Sequence, residues 1–144
     1  YGDEYGFRPD KADVVRDGTD ITVIACGNIC VWNSIEAGEA LEAKGVSVRV
    51  VNMHTVKPID AETILAAARE TGAVVTVENA NYINGLGSAV SEVLCEGRAY
   101  VPFKRVGIRD RFGEVGTRDY LIKTMGLTKD DIVSAIEETI SYKS

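Results

Sequence analysis

The stretch Thr76-Val77-Glu78-Asn79-Ala80-Asn81-Tyr82-Ile83-Asn84-Gly85-Leu86-Gly87-Ser88-Ala89-Val90 runs from an apolar strand pattern through polar residues and two glycines into an apolar-periodic helix. Glycines at that place let the backbone turn with φ > 0 and let the helix pack close to a sheet. Ser88 is placed to accept a bond from an otherwise unpaired helix N–H. Strand, loop and helix in that order form the repeating unit of an α/β fold.

The rest of the chain repeats that unit. Ala12 to Arg16 reads as a short strand, Asp17-Gly18-Thr19-Asp20 as a turn, and Ile21 to Cys26 as a stronger strand, together a hairpin. Asn33 and Ser34 open a helix whose apolar positions Ile35, Ala37, Ala40 and Leu41 recur at helical spacing, with Gly45 closing it. Val46 to Met53 has the continuous apolar character of a buried parallel strand. Pro58 and Asp60 start a helix running to about Glu70, which Thr71-Gly72 closes. Ala73 to Glu78 is the next strand, Gly87 to Glu96 a helix, and Val101 to Ile108 a further strand. Gly107 to Gly116 is a charged surface loop, Asp119 to Met125 a short helix, and Leu127 to Ile140 a last helix with Thr128 as N-cap. The alternation predicts a three-layer α/β/α sandwich around a mostly parallel sheet, made mixed by the opening hairpin.

The 144 residues fit a single domain, and 45% hydrophobic content suffices for a core. We divide the chain into a linker from a preceding domain, residues 1–10, and the domain itself, residues 11–144. A net charge of −6 disfavours nucleic acid and anionic membranes as partners. No apolar run approaches the roughly 20 residues a membrane span requires, and the first ten residues are not a secretion signal. The chain lacks an initiator Met and reads as a piece of a longer cytoplasmic protein. Cys26, Cys30 and Cys95 cannot all pair and read as reduced thiols. Cys26, Cys30 and His54 would need a fourth zinc ligand, and none has usable spacing.

Candidate chemistry is sparse. His54 is the only histidine, and with Glu78 and Asn79 it could line a crevice at the carboxyl ends of the strands, where open α/β sheets bind ligands. The alternative is that these side chains cap helices or join packed surfaces. Asn81 lies in the same loop. Gly85 and Gly87 invite an anion at a helix start, but Val90 occupies the third glycine position of a dinucleotide fingerprint, and no Lys-Ser/Thr pair follows. Ser34 and Ser88 read as helix caps rather than nucleophiles. Arg105, Arg109, Arg111 and Arg118, interspersed with Asp110, Glu114 and Asp119, read as the rim of an interface. Trp32, Tyr1, Tyr5 and Phe7 are candidates for its apolar part.

Several ordered motifs are more specific. They are Asp20-Ile21-Thr22-Val23-Ile24-Ala25-Cys26-Gly27, Val56-Lys57-Pro58-Ile59-Asp60, Val75-Thr76-Val77-Glu78-Asn79 and Gly85-Leu86-Gly87-Ser88-Ala89-Val90. In that order the chain resembles the C-terminal domain of the transketolase family. Gly107-Ile108-Arg109-Asp110-Arg111-Phe112-Gly113-Glu114 and Leu121 to Thr128 look most like split bacterial or archaeal transketolases. Relatives sharing this domain include 1-deoxyxylulose-5-phosphate synthase and the beta subunit of 2-oxo acid dehydrogenases. Many carry a histidine in the loop where this chain has Ala80, Asn81 and Asn84.

The resemblance implies a structural and dimer-contact domain of a two-carbon ketol transferase. It implies no catalytic, cofactor-binding or metal residues in this chain. Thiamine diphosphate and Mg²⁺ would sit in the preceding domains, and Arg16-Asp17-Gly18 is the nearest string to their Gly-Asp-Gly segment. The implied partners are complementary thiamine-binding domains or a subunit carrying them, together with a second copy in a homodimer or heterotetramer. A docking domain of a 2-oxo acid dehydrogenase beta subunit and a free-standing anion-binding module stand as alternatives.

Overall fold

The computed structural model of the chain describes Gly2 and residues 4–143. Five strands form one mixed sheet in the order β1-β3-β2-β4-β5. They are β1 (Asp13–Arg16), β2 (Ile21–Cys26), β3 (Val48–Asn52), β4 (Val74–Asn81) and β5 (Phe103–Ile108). The helices are α1 (Asn28–Glu42), α2 (Ala61–Thr71), α3 (Leu86–Glu96), α4 (Arg118–Thr124) and α5 (Lys129–Ile140). Helices α1 and α5 pack together over one face, α2 and α3 over the other. The three-layer sandwich stands, and no helix among the described residues is long and apolar enough to cross a membrane.

The opening hairpin does not form. β1 pairs antiparallel with β3, and β3 lies between β1 and β2. Burial decides the pairing. Five of the six β2 residues are buried, so β2 requires a strand on each side, whereas β1 exposes Val14 and suits an edge. The turn from β1 to β2 therefore crosses the start of β3. Asp20 N–H donates to the Ser47 carbonyl at 2.8 Å, and Ser47 N–H donates to the Asp20 carboxylate at 2.7 Å. A Cβ on Gly18 would lie 2.2 Å from the Val48 carbonyl carbon, so only glycine passes there.

Helix α1 starts earlier than the pattern predicted, at Asn28. Gly27, with φ of 90°, turns the chain sharply out of β2 and makes Ile29 to Val31 helical. Asn33 and Ser34 are consequently interior residues rather than caps. Asn33 donates from its amide to the Leu127 carbonyl at 2.8 Å, and the buried Ser34 hydroxyl donates to the Cys30 carbonyl at 2.6 Å.

The cap residues predicted for α2 and α5 take those places. Asp60 caps α2 through the Thr63 N–H, and Gly72 ends that helix in the left-handed region. Thr128 and Asp131 form a reciprocal capping box on α5. Apolar residues of alternating strand positions supply two cores. Val75, Val77, Leu41 and Ile136 lie on the α1/α5 side, and Val74, Ile24, Ile64 and Val90 on the α2/α3 side.

Candidate functional site

Three strand ends meet the helix starts at one edge of the sheet, and the order of the strands reverses between β2 and β4. The predicted crevice residues arrive there but separate. Glu78 follows Val74 and Thr76 on the α3 face, while Asn79 follows Val75 and Val77 on the opposite face. His54 lies on a third surface, beside β1.

Glu78 is 3% exposed, and its two carboxylate oxygens accept the backbone N–H groups of Leu86 and Gly87 at 2.8 and 2.9 Å. A carboxylate there pairs unpaired N–H groups and lies at the positive end of the helix dipole. The α3 N-terminus that could have taken an anion thus holds the chain's own acid. The glycines serve close approach rather than positive φ. A Cβ on Gly85 would lie 1.9 Å from Glu78 Oε2, and one on Gly87 would lie 2.6 Å from Arg105 Cδ. Positive φ falls instead on Asn84, whose N–H donates to Ser88 Oγ at 2.9 Å. Ser88 therefore ties down the preceding loop and is not the N-cap. The Asn81 amide donates to Asp110 at 3.1 Å, and its oxygen accepts from the Ile83 N–H at 2.9 Å.

His54 Nδ1 is 2.9 Å from Thr55 Oγ1, and Nε2 lies 3.7 Å from Asp13 Oδ2. The Phe7 ring packs against the imidazole with centroids 4.7 Å apart. His54 and Cys26 border a broad groove with a volume of about 850 Å³, walled by Val14, Val31, Trp32 and Ile35. Tyr5, Phe7 and Trp32 are exposed, while Tyr1 lies outside the described residues.

The Cys26 and Cys30 thiols are poor nucleophiles. Burial, with the negative charge of Glu78 added, pushes Cys26 up. Burial first, then Cys26 and Glu78, pushes Cys30 up to about 12. Among the described residues, no group of three or more His, Cys, Asp or Glu side chains is arranged to hold a metal ion.

The arginines do not form one patch. Arg105 lies over the Tyr82 ring, 4.6 Å from its centroid, and donates to the Tyr82 carbonyl at 2.9 Å. Arg109 and Arg111 border a hollow beside α5, and Arg111 donates to the Thr124 carbonyl and Met125 Sδ. Arg118 borders a separate apolar cavity of about 360 Å³.

Two features escaped the sequence reading. One is that cavity, roofed by α4 and lined by Ile29, Ile108, Leu121, Met125 and Leu127. The exposed Phe112 and Val115 in a charged loop were its available signal. The other is Asp60, which besides capping α2 accepts from the Ala12 N–H at 3.0 Å and lies 3.6 Å from Lys11 Nζ. Burial raises the Asp60 carboxyl, but bonds from Thr63 and Ala12, with Lys11 nearby, outweigh it and hold the group below the usual carboxylate range.

Comparison with known proteins agrees with this architecture. A family model described as "Transketolase, C-terminal domain" matches residues 10–132. The 6-deoxy-6-sulfo-D-fructose transketolase subunit SqwH of Clostridium sp. (strain MSTE9) is 49% identical over 138 residues, covering 96% of this chain and 42% of that protein. The 1-deoxy-D-xylulose-5-phosphate synthase of Gloeobacter violaceus is 40% identical over 131 residues, covering 91% of this chain and 20% of that protein. A solved structure described as a split gene transketolase, inactive beta4 tetramer, matches with a TM-score of 0.93 and 42% identity, covering 100% of this chain and 46% of that one. The chain therefore spans less than half the length of these relatives. With its fold, its ordered motifs and the family model in agreement, the chain belongs to the transketolase C-terminal domain family.

Proposed function

We propose that this domain is the non-catalytic C-terminal part of a thiamine-diphosphate-dependent transketolase that moves a two-carbon ketol unit between sugar phosphates, of the pentose phosphate type. It acts by holding complementary thiamine-binding domains and a second copy in place, as a dimer or a larger assembly in the cytoplasm. The observation that carries this reading is the occupation of the strand-end crevice by structural bonds. Glu78, the buried acid there, spends both oxygens on α3.

The residues present do not fit the cofactor. The loop at Asp17 and Gly18 is pressed against the β3 backbone, with no space for even a methyl group at Gly18, so it cannot cradle a diphosphate. The donor set supports the same view, since Mg²⁺ requires several convergent oxygens and no such acidic group forms among the described residues.

The other readings are less favoured. The reported relatives are transketolase-type subunits and synthases rather than 2-oxo acid dehydrogenases. An anion module using α3 would have to displace Glu78. The test is an assay of the purified chain with xylulose 5-phosphate, ribose 5-phosphate, thiamine diphosphate and Mg²⁺. We expect no turnover above a no-protein control, and turnover by the chain alone would overturn the reading. Copurification with a lipoyl-bearing core would favour the dehydrogenase alternative.

A further inference from the structure

The cavity beneath α4 has a volume of about 360 Å³. Small-molecule sites usually measure roughly 300–1,000 Å³, so this one suits a compact ligand. Its place in the fold is where α/β sheets bind ligands. Ile29, in the first turn of α1 after β2, and Asn79, near the end of β4, belong to the two sides of the reversal in strand order, and both border the cavity. Ile108, Leu121, Ile122 and Leu127 make the remaining wall largely apolar, and α4 buries none of its own residues over it.

Charge at the rim is unbalanced by one unit. Glu114 is the one acid on the lining, and both its oxygens are engaged. Oε2 accepts from the Tyr120 hydroxyl at 2.7 Å, and Oε1 lies 3.9 Å from Arg111 Nη2. Arg111 thereby offsets Glu114. The Arg118 side chain makes no hydrogen bond or ion pair among the described residues, so its guanidinium keeps its donors for an incoming group. One uncompensated cation beside apolar walls matches a ligand with one negative charge on an apolar body. A dianion such as phosphate would bring a second charge that no group on the lining balances, with no apolar surface to bury in return.

We infer that the cavity beneath α4 binds a small monocarboxylate with an aromatic or branched aliphatic body, the body lying against Ile108, Leu121 and Leu127 and the carboxylate pairing with Arg118. The planar fork of an arginine matches the two oxygens of a carboxylate in parallel hydrogen bonds, which gives orientation as well as affinity. Such binding is independent of the assembly role proposed for the domain and leaves that role as it stands.

Methyl-resolved NMR titration of the chain with benzoate tests it. Benzyl alcohol serves as a neutral probe of similar shape, and inorganic phosphate as an anion without an apolar body. Benzoate should shift the methyl signals of Ile29, Ile108, Leu121 and Leu127 saturably, with a Kd of about 1 mM or tighter, within reach of a ligand of that size. Benzyl alcohol should shift the same methyls with at least about tenfold weaker affinity, and phosphate should move none of them. Arg118→Gln, at an exposed side chain, should weaken benzoate at least about tenfold and leave benzyl alcohol within about twofold. Arg118→Lys keeps the charge without the fork and should fall between the two. No saturable shift of these methyls below about 20 mM benzoate would overturn the site. Equal affinity for benzoate and benzyl alcohol, or for benzoate in wild type and Arg118→Gln, would overturn the pairing with Arg118. Phosphate acting on the same methyls as strongly as benzoate would overturn the ligand class.

Discussion

The β4–α3 junction and the β5–α4 connection lie at the same edge of the sheet and are finished in opposite ways. At the first, a buried glutamate pairs the opening N–H groups of the helix, and the glycines allow α3 to close onto Glu78, Thr76 and Arg105. At the second, the loop runs exposed from Arg109 to the start of α4, leaving Phe112 and Val115 in water over an apolar hollow. Stability is concentrated where the chain covers itself. Where it does not, apolar area stays in water, and that area contributes little to folding stability.

Substitutions at the two regions test the contrast. Glu78→Ala removes two charge-assisted bonds in a site closed to water and should cost about 2–4 kcal/mol, read from denaturant midpoints at constant m. Gly87→Val places a branched side chain against Arg105 and Thr76 and should cost about 1–3 kcal/mol. If either variant matched wild type, the closed junction would not be the keystone described.

Asp60 performs the same task at the start of α2, where β3 ends, with one N-cap bond rather than two. Asp60→Asn should cost about 1 kcal/mol at neutral pH. Because the folded carboxyl is held below its ordinary value, its contribution is whole above about pH 4 and is lost as the pH falls through the folded value. The difference between wild type and Asp60→Asn should therefore shrink on acidification, and a difference that grew would reverse the sign of the argument. The smallest effect belongs to the open region. Phe112→Ala, at a side chain that is 98% exposed, should change unfolding stability by less than about 0.5 kcal/mol, read from denaturant midpoints.

The elements most legible in the sequence were those whose signals are local. Gly72 after α2, the Thr128 cap on α5 and the apolar runs of β2, β3 and β4 each depend on residues within a few positions. Pairing is not local. Asp17-Gly18 has the chemistry of a hairpin turn, yet the demand of β2 for two buried neighbours inserts β3 between the strands.

The fate of Glu78 was half readable. Period-two arithmetic puts it with Val74 and Thr76, apart from Asn79, but only the fold shows that α3 begins directly beneath it. His54 could not be assigned a neighbour, since Phe7 and Asp13 reach it from the opening segment and the edge strand. The cavity beneath α4 was hidden for a similar reason. Its walls come from α1, β4, β5 and α4 at once.

On the proposed function, this domain works by association rather than by chemistry. Mixing the chain with complementary thiamine-binding domains of shown foldedness, at micromolar concentration, tests it through Trp32, which is 61% exposed on the groove beside His54. Association should shift Trp32 fluorescence and produce a larger species by light scattering. Unchanged emission and an unchanged particle size would contradict it.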